Sequence, residues 1–184
     1  MATPTSLPAT FVAGNVLTAA QMNDLRGAFR ILQVVSTAKT DTFSASVASG
    51  ADSAATVSVT ITPTSATSKV FLIADLAITG VSCVVGATLY RGGSVLTAAT
   101  GDASSNRTPA TGSAGPENSG RAGYASTFTF LDSPATTSAT TYDARLWHDS
   151  ASSKTVYMNR GINDEDASYT HRQISTLTAI EVSA

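Results

Sequence analysis

Residues 57–79 read VSVTITPTSATSKVFLIADLAIT, and two different strand patterns meet inside them. In the first part Val57, Val59 and Ile61 alternate with Ser58 and Thr60, the two-residue period of a strand with one dry face and one wet face. Thr62-Pro63-Thr64-Ser65 then stops it, because proline cannot donate to a ladder and short hydroxyl side chains compete for backbone hydrogen bonds. From Lys69 to Thr79 apolar residues occupy both faces, as in a strand with neighbours on each side. A half-buried strand leading straight into a central one predicts an all-β chain.

Working outward, the same signals recur. Val84 to Tyr90 and Ser94 to Ala98 flank Arg91-Gly92-Gly93, a hairpin signal because glycine supplies the positive φ of tight turns. Tyr124, Ser126, Phe128 and Phe130 alternate until Ser133-Pro134 breaks the run, with Phe128 and Phe130 assigned to the core. Tyr142 to Trp147, Lys154 to Arg160, Gln173 to Val182 and Asp41 to Ala48 bring the count to about eight strands, the profile of a jelly-roll-like β-sandwich. Thr100 to Gly120 is rich in Gly, Ser, Asn and Pro without periodicity and is expected to be a long loop.

Before residue 31 the pattern is helical instead. Pro4 and Pro8 keep the start extended, and Thr18 with Gln21 forms a capping box beside the Leu17–Met22 hydrophobic staple. Met22, Leu25, Phe29 and Leu32 then recur at three- and four-residue steps, which predicts one short amphipathic α-helix. Its apolar stripe has two possible partners, the chain's own β domain or another chain, including a bundle of copies. The expected division is an N-terminal arm and helix over 1–33 and a sandwich over 34–184.

Composition removes several functional classes. Of the 184 residues 42% are hydrophobic and 13% charged, against about 25% charged in an average domain, so the exterior is neutral and hydroxyl-rich. With 11 basic and 13 acidic residues scattered along the chain, net −2, there is no footprint for nucleic acid. The most apolar run, Val70 to Ile78, contains Asp75 and is far shorter than the ~20 residues that cross a bilayer, so no membrane insertion is expected. Met1 to Thr10 carries neither a basic side chain nor an apolar run, so no secretory leader is expected and synthesis is placed in a cytoplasm. Cys83, the only cysteine, reads as a small buried hydrophobe.

Catalytic patterns are missing from the sequence. His148 and His171 lie in no nucleophile-elbow, zinc or phosphate-loop motif, and His148 and Asp149, adjacent on a strand, point to opposite faces. Asn163-Asp164-Glu165-Asp166 lacks the spacing of a calcium loop and reads as a solvated turn. No catalytic residue, metal ligand or cofactor is therefore expected. Tyr142 alternates with Ala144 and Leu146 on a core or intersubunit face, whereas Trp147 shares the opposite face with Arg145 and is open to other roles.

The segment FVAGNVLTAAQMN at 11–23 resembles the N-terminal motif of tailed-bacteriophage tail-fibre and virion structural proteins. The body is similar to a module of phages of aquatic bacteria through QVVSTAKTDTF (33–43), VTITPTSATSKV (59–70), LDSPATTSATTY (131–142) and VYMNR (156–160), in the family's order. The resemblance implies a homotrimeric, jelly-roll-like virion protein, often a tail fibre, and the missing catalytic patterns add the expectation that it is not an enzyme. Phe11, Leu17, Met22, Leu25, Phe29 and Leu32 become the candidate contacts to other virion proteins or between copies. The expanded loop between Thr100 and Arg121 departs from the family pattern, which makes Asn106, Arg107, Glu117, Asn118, Arg121 and Trp147 candidates for facing a host cell-surface glycan or protein. The competing expectation is a capsid decoration, head-fibre or baseplate component without receptor binding.

Overall fold

A computed structural model describes residues 30–114, 120 and 123–183, together with Gly14, Val16, Thr18 and Ala19. The described chain is a sandwich of two antiparallel sheets with one core between them. The larger sheet contains β1 (Ile31–Lys39), β2 (Phe43–Val47), β4 (Lys69–Gly80), β8 (Tyr124–Asp132), β10 (Lys154–Met158) and β11 (Ser175–Val182). The smaller contains β3 (Val57–Ile61), β5 (Val85–Arg91), β6 (Ser94–Val95), β7 (Gly112–Ser113) and β9 (Thr140–His148).

The decisive stretch behaves as its pattern dictates. Val57, Val59 and Ile61 are buried while Ser58 and Thr60 are exposed, and β4 takes the middle of its sheet, flanked by β8 on one edge and by β11 and β10 on the other. The Gly92-Gly93 turn joins β5 to β6 with φ of 58° and 81°, two successive left-handed positions that glycine adopts without strain.

Several expectations change. The helical stripe cannot run to Leu32, because Leu32 lies in β1 at a bulge between Ile31 and Gln33. The rest of that helix, with Phe11, Leu17, Met22, Leu25 and Phe29, lies outside the described residues. The strand expected over Ser94 to Ala98 is cut to Ser94–Val95 and followed by a 3-10 turn at Thr97–Ala99. The long loop is not unstructured throughout, since β7 in its second half pairs with Gly86 and Ala87 of β5.

In the larger sheet β11 and β10 lie end to end along one edge of β4, and β1 and β2 lie end to end beyond them. Asn159 holds this splice. It is fully buried at φ 62°, donates Nδ2 to the carbonyls of Lys39 (2.7 Å) and Asp41 (2.9 Å), and accepts the Ser175 hydroxyl at 2.6 Å. Left-handed backbone is tolerated best by Gly and Asn, and here the Asn amide also satisfies the two carbonyls freed where β1 turns into β2.

Candidate functional site

The two ends of the sandwich differ. Pairing of Ile31 with Val182, and of Val182 with Lys69, puts the start of the sandwich at the first residue of β4. Hydrogen bonds from Arg30 N to Ser183 Oγ (2.9 Å) and from Ser183 N to the Arg30 carbonyl (2.8 Å) fasten that corner. At the other end of β4 the chain turns through 81–84 into β5, whose Val85 faces His148 of β9. The 12 residues of β4 separate these ends by about 36 Å at strand rise.

At this far end a cleft of about 230 Å³ opens among Gly50, Asp52, Thr88, Asn106, Thr108 and Trp147. Its floor follows from register. Gly86 and Thr88 of β5 pair with Trp147 and Arg145 of β9 on the outward face of the smaller sheet. The indole of Trp147 lies on Gly86, where a Cβ would overlap both the ring and the Gly112 carbonyl. Trp147 remains partly exposed, and its buried Nε1 has no hydrogen-bond partner among the described residues.

Beside the indole runs a polar layer. Asp52, carried across β9 by the β2–β3 loop, accepts the Tyr90 hydroxyl at 2.6 Å and the Thr88 hydroxyl at 3.4 Å. Arg145 lies 3.9 Å above the Tyr90 ring and donates to Asp143 at 2.8 Å. Burial, then the Asp52 hydrogen bond and charge, pushes the Tyr90 phenol up to about 12, so it stays a donor at neutral pH. The arrangement offers an aromatic face, a carboxylate, an amide and hydroxyls within one small concavity. Such groups stack on and hydrogen-bond a polyol.

The candidate residues divide accordingly. Trp147 and Asn106 meet in this cleft. Arg107 does not line it; its guanidinium donates to Ser104 Oγ at 3.0 Å within a local turn. Glu117, Asn118 and Arg121 lie outside the described residues. Asp52, Thr88 and Thr108 were not singled out by the sequence reading, since Thr88 comes beside Trp147 through the β5–β9 register and Asp52 and Thr108 through loops remote in sequence.

Other groups with chemical potential are committed to the fold. His148 is buried, with Nε2 on the Val47 carbonyl (2.8 Å) and Nδ1 accepting the Ser150 N–H (3.1 Å), which fixes the Nε2–H tautomer. Asp149 instead accepts the Val84 N–H at 2.9 Å. In the acidic loop Asp164 faces Arg172 (2.7 Å) and Arg160 (3.4 Å), and Glu165 accepts the Tyr169 hydroxyl. Among the described residues no three His, Cys, Asp or Glu side chains cluster as a metal ion requires. Buried Cys83 has its thiol pushed up by burial and by the Asp149 charge, which disfavours the reactive thiolate. No protein-family model matches the chain, and no curated protein matches it in sequence.

Proposed function

We propose that the chain is a virion structural protein of a tailed bacteriophage, a trimeric tail-fibre or receptor-binding module attached through its N-terminal segment. One observation carries this reading: Arg30 and Ile31, where the described sandwich begins, stand at one end of it, and the Trp147 cleft opens at the other. A module built this way, once held at its first residues, presents the cleft outward. The neutral, hydroxyl-rich exterior and the motif resemblance at 11–23 support it. We further read the sandwich as jelly-roll-like, because the chain crosses between sheets at β2–β3, β3–β4, β4–β5, β7–β8, β8–β9 and β9–β10.

The ligand class we assign to the cleft is a host-surface glycan. At about 230 Å³ it is smaller than the roughly 300–1,000 Å³ of drug-sized pockets and suits a single sugar ring against the indole. A capsid decoration, head-fibre or baseplate role is favoured by a different observation, that Asp52, Tyr90, Arg145 and Asp143 largely satisfy one another. Binding of the purified protein to host cells separates the two. Trp147→Ala is expected to weaken binding by roughly 5- to 150-fold, since aromatic stacking on a planar or ring ligand contributes about 1–3 kcal/mol. Unchanged binding would leave the structural role.

A further inference from the structure

Charge in the Trp147 cleft is of one sign. Its lining includes Asp52 and Asp149 but no Lys or Arg. His148 also lines it, yet is buried with Nδ1 accepting the Ser150 N–H, so it presents no cation. Arg145 is committed to the Tyr90 ring and to Asp143 and does not line the cleft.

Strand register sets the two carboxylates on opposite sides of the indole. Thr88 is the diagonal neighbour of Trp147 across the β5–β9 pair, and its hydroxyl donates to Asp52. Such neighbours stand about 7–8 Å apart. In the other direction the pairing runs one residue past β9, where the Asp149 N–H bonds the Val84 carbonyl. Asp149 thus follows Trp147 at the two-residue step that returns a side chain to the same face. Neither carboxylate is ion-paired among the described residues. Each keeps acceptor capacity there: Tyr90 takes Asp52 Oδ2 while Oδ1 has only the 3.4 Å Thr88 contact, and Asp149 uses Oδ1 for the Val84 N–H.

We propose that the sugar this cleft selects is positively charged, an amino sugar with a free ammonium group. The proposal rests on the glycan reading above and names the ligand class within it. An ammonium on a ring stacked against the indole is attracted by the aromatic face, and a carboxylate flanks it on either side. An acidic sugar meets two like charges with no basic side chain in the lining to offset them. A neutral sugar keeps the stacking and the hydrogen bonds and gains neither charge contribution. Exposed cation–π contacts and exposed ion pairs are each modest, and together they amount to roughly tenfold in affinity.

The test titrates the full-length chain with glucosamine and galactosamine, with the N-acetyl form and the neutral parent of each, and with glucuronic acid. Emission of Trp147, the only tryptophan, reads the binding and ties it to the cleft. At least one hexosamine is expected to bind about tenfold more tightly than its N-acetyl form and its parent sugar, and glucuronic acid more weakly than any of them. Acetylation removes the charge and keeps the ring, so hexosamines that bind no better than their N-acetyl forms overturn the proposal, as does a preference for glucuronic acid. The double variant Asp52→Asn, Asp149→Asn retains side-chain oxygens for Tyr90, Thr88 and Val84 and is expected to bind hexosamine and parent sugar alike. A preference that survives in the double variant also overturns the proposal, and should that variant fail to fold, the wild-type comparison decides alone. The two failures are distinct: silence toward every sugar removes the glycan reading and this proposal with it, whereas equal response to charged and uncharged rings removes the charge selection and leaves the glycan reading standing.

Discussion

Glu181 shows how much a single side chain can organise in a sandwich of low charge. It is fully buried, yet its carboxylate accepts Gln33 Nε2 at 2.6 Å, the Thr64 N–H at 2.7 Å and the Thr64 hydroxyl at 2.8 Å. The partners come from β1 and from the turn after β3, so one carboxylate ties an edge strand and a crossover to β11. Burial works to raise its pKa, but Gln33, Ser68 and Thr64 together outweigh that and hold it below the ordinary 4.5. The Ser68 hydroxyl itself lies outside hydrogen-bond geometry, so Gln33 and Thr64 carry most of the effect. A carboxyl that ionises more readily folded than unfolded stabilises the fold above its unfolded pKa, and that contribution disappears as pH falls through the folded value. Glu181→Gln is therefore expected to lower the urea midpoint at pH 7, with the gap to wild type closing as the pH falls below 4.5 and through the lowered folded value. Equal gaps at pH 7 and pH 3 would show that the charge is not what matters.

At the scale of elements, the smaller sheet is held together where three strands share one glycine. Gly86 pairs with Trp147 of β9 and Ser113 of β7, and the indole fills the space a side chain would take. Gly86→Ala must push away the ring or the Gly112 backbone, a misfit of about 1–3 kcal/mol. Since Trp147 is the only tryptophan, its emission reports the outcome directly: a red shift with lower stability is expected, and an unchanged spectrum would mean the ring does not rest on Gly86. Strands bounded by turn chemistry and strict alternation, such as β3, β4, β8 and the β5–β6 hairpin, were legible in the sequence. β1 was not assigned a strand, because adjacent Val34 and Val35 break the alternation and bulged Leu32 happens to continue the helical spacing of Met22, Leu25 and Phe29. β7 was illegible for another reason: two residues have no period, and its place depends on β5 beside it and the Phe128 ring against Gly112. Trp147 could be placed outward by counting along β9, but its neighbour Asp52 is brought across from another strand's loop, which no local pattern announces.

For the molecule as a whole, the question is what makes two sheets melt as one. Apolar packing supplies most of the cohesion, and a buried polar bridge adds a directional tie. Asp132 at the end of β8 accepts the Tyr142 hydroxyl of β9 at 2.7 Å and two bonds from Arg91 of β5, at 2.8 and 3.0 Å. One carboxylate in the larger sheet thus binds two strands of the smaller, and the Tyr142 phenol, raised by burial and then by Asp132, remains its donor throughout the working pH range. Removing that carboxylate strands a buried hydroxyl and leaves an arginine that is 38% exposed, able to recover part of its solvation. Asp132→Ala is accordingly expected to cost about 3 kcal/mol, toward the lower end of what breaking a buried pair costs. For a domain of this size that lowers the melting temperature by roughly 10 °C. Because the shared apolar core supplies most of the cohesion between the sheets, strand circular dichroism and Trp147 fluorescence should fall together in both proteins, each with one transition. If Trp147 in the smaller sheet instead melts ahead of the strand signal in the variant alone, the bridge is what couples the sheets, and if the two signals separate already in the wild type, the sandwich is not the single cooperative unit that the proposed attachment, about 36 Å from the cleft, requires.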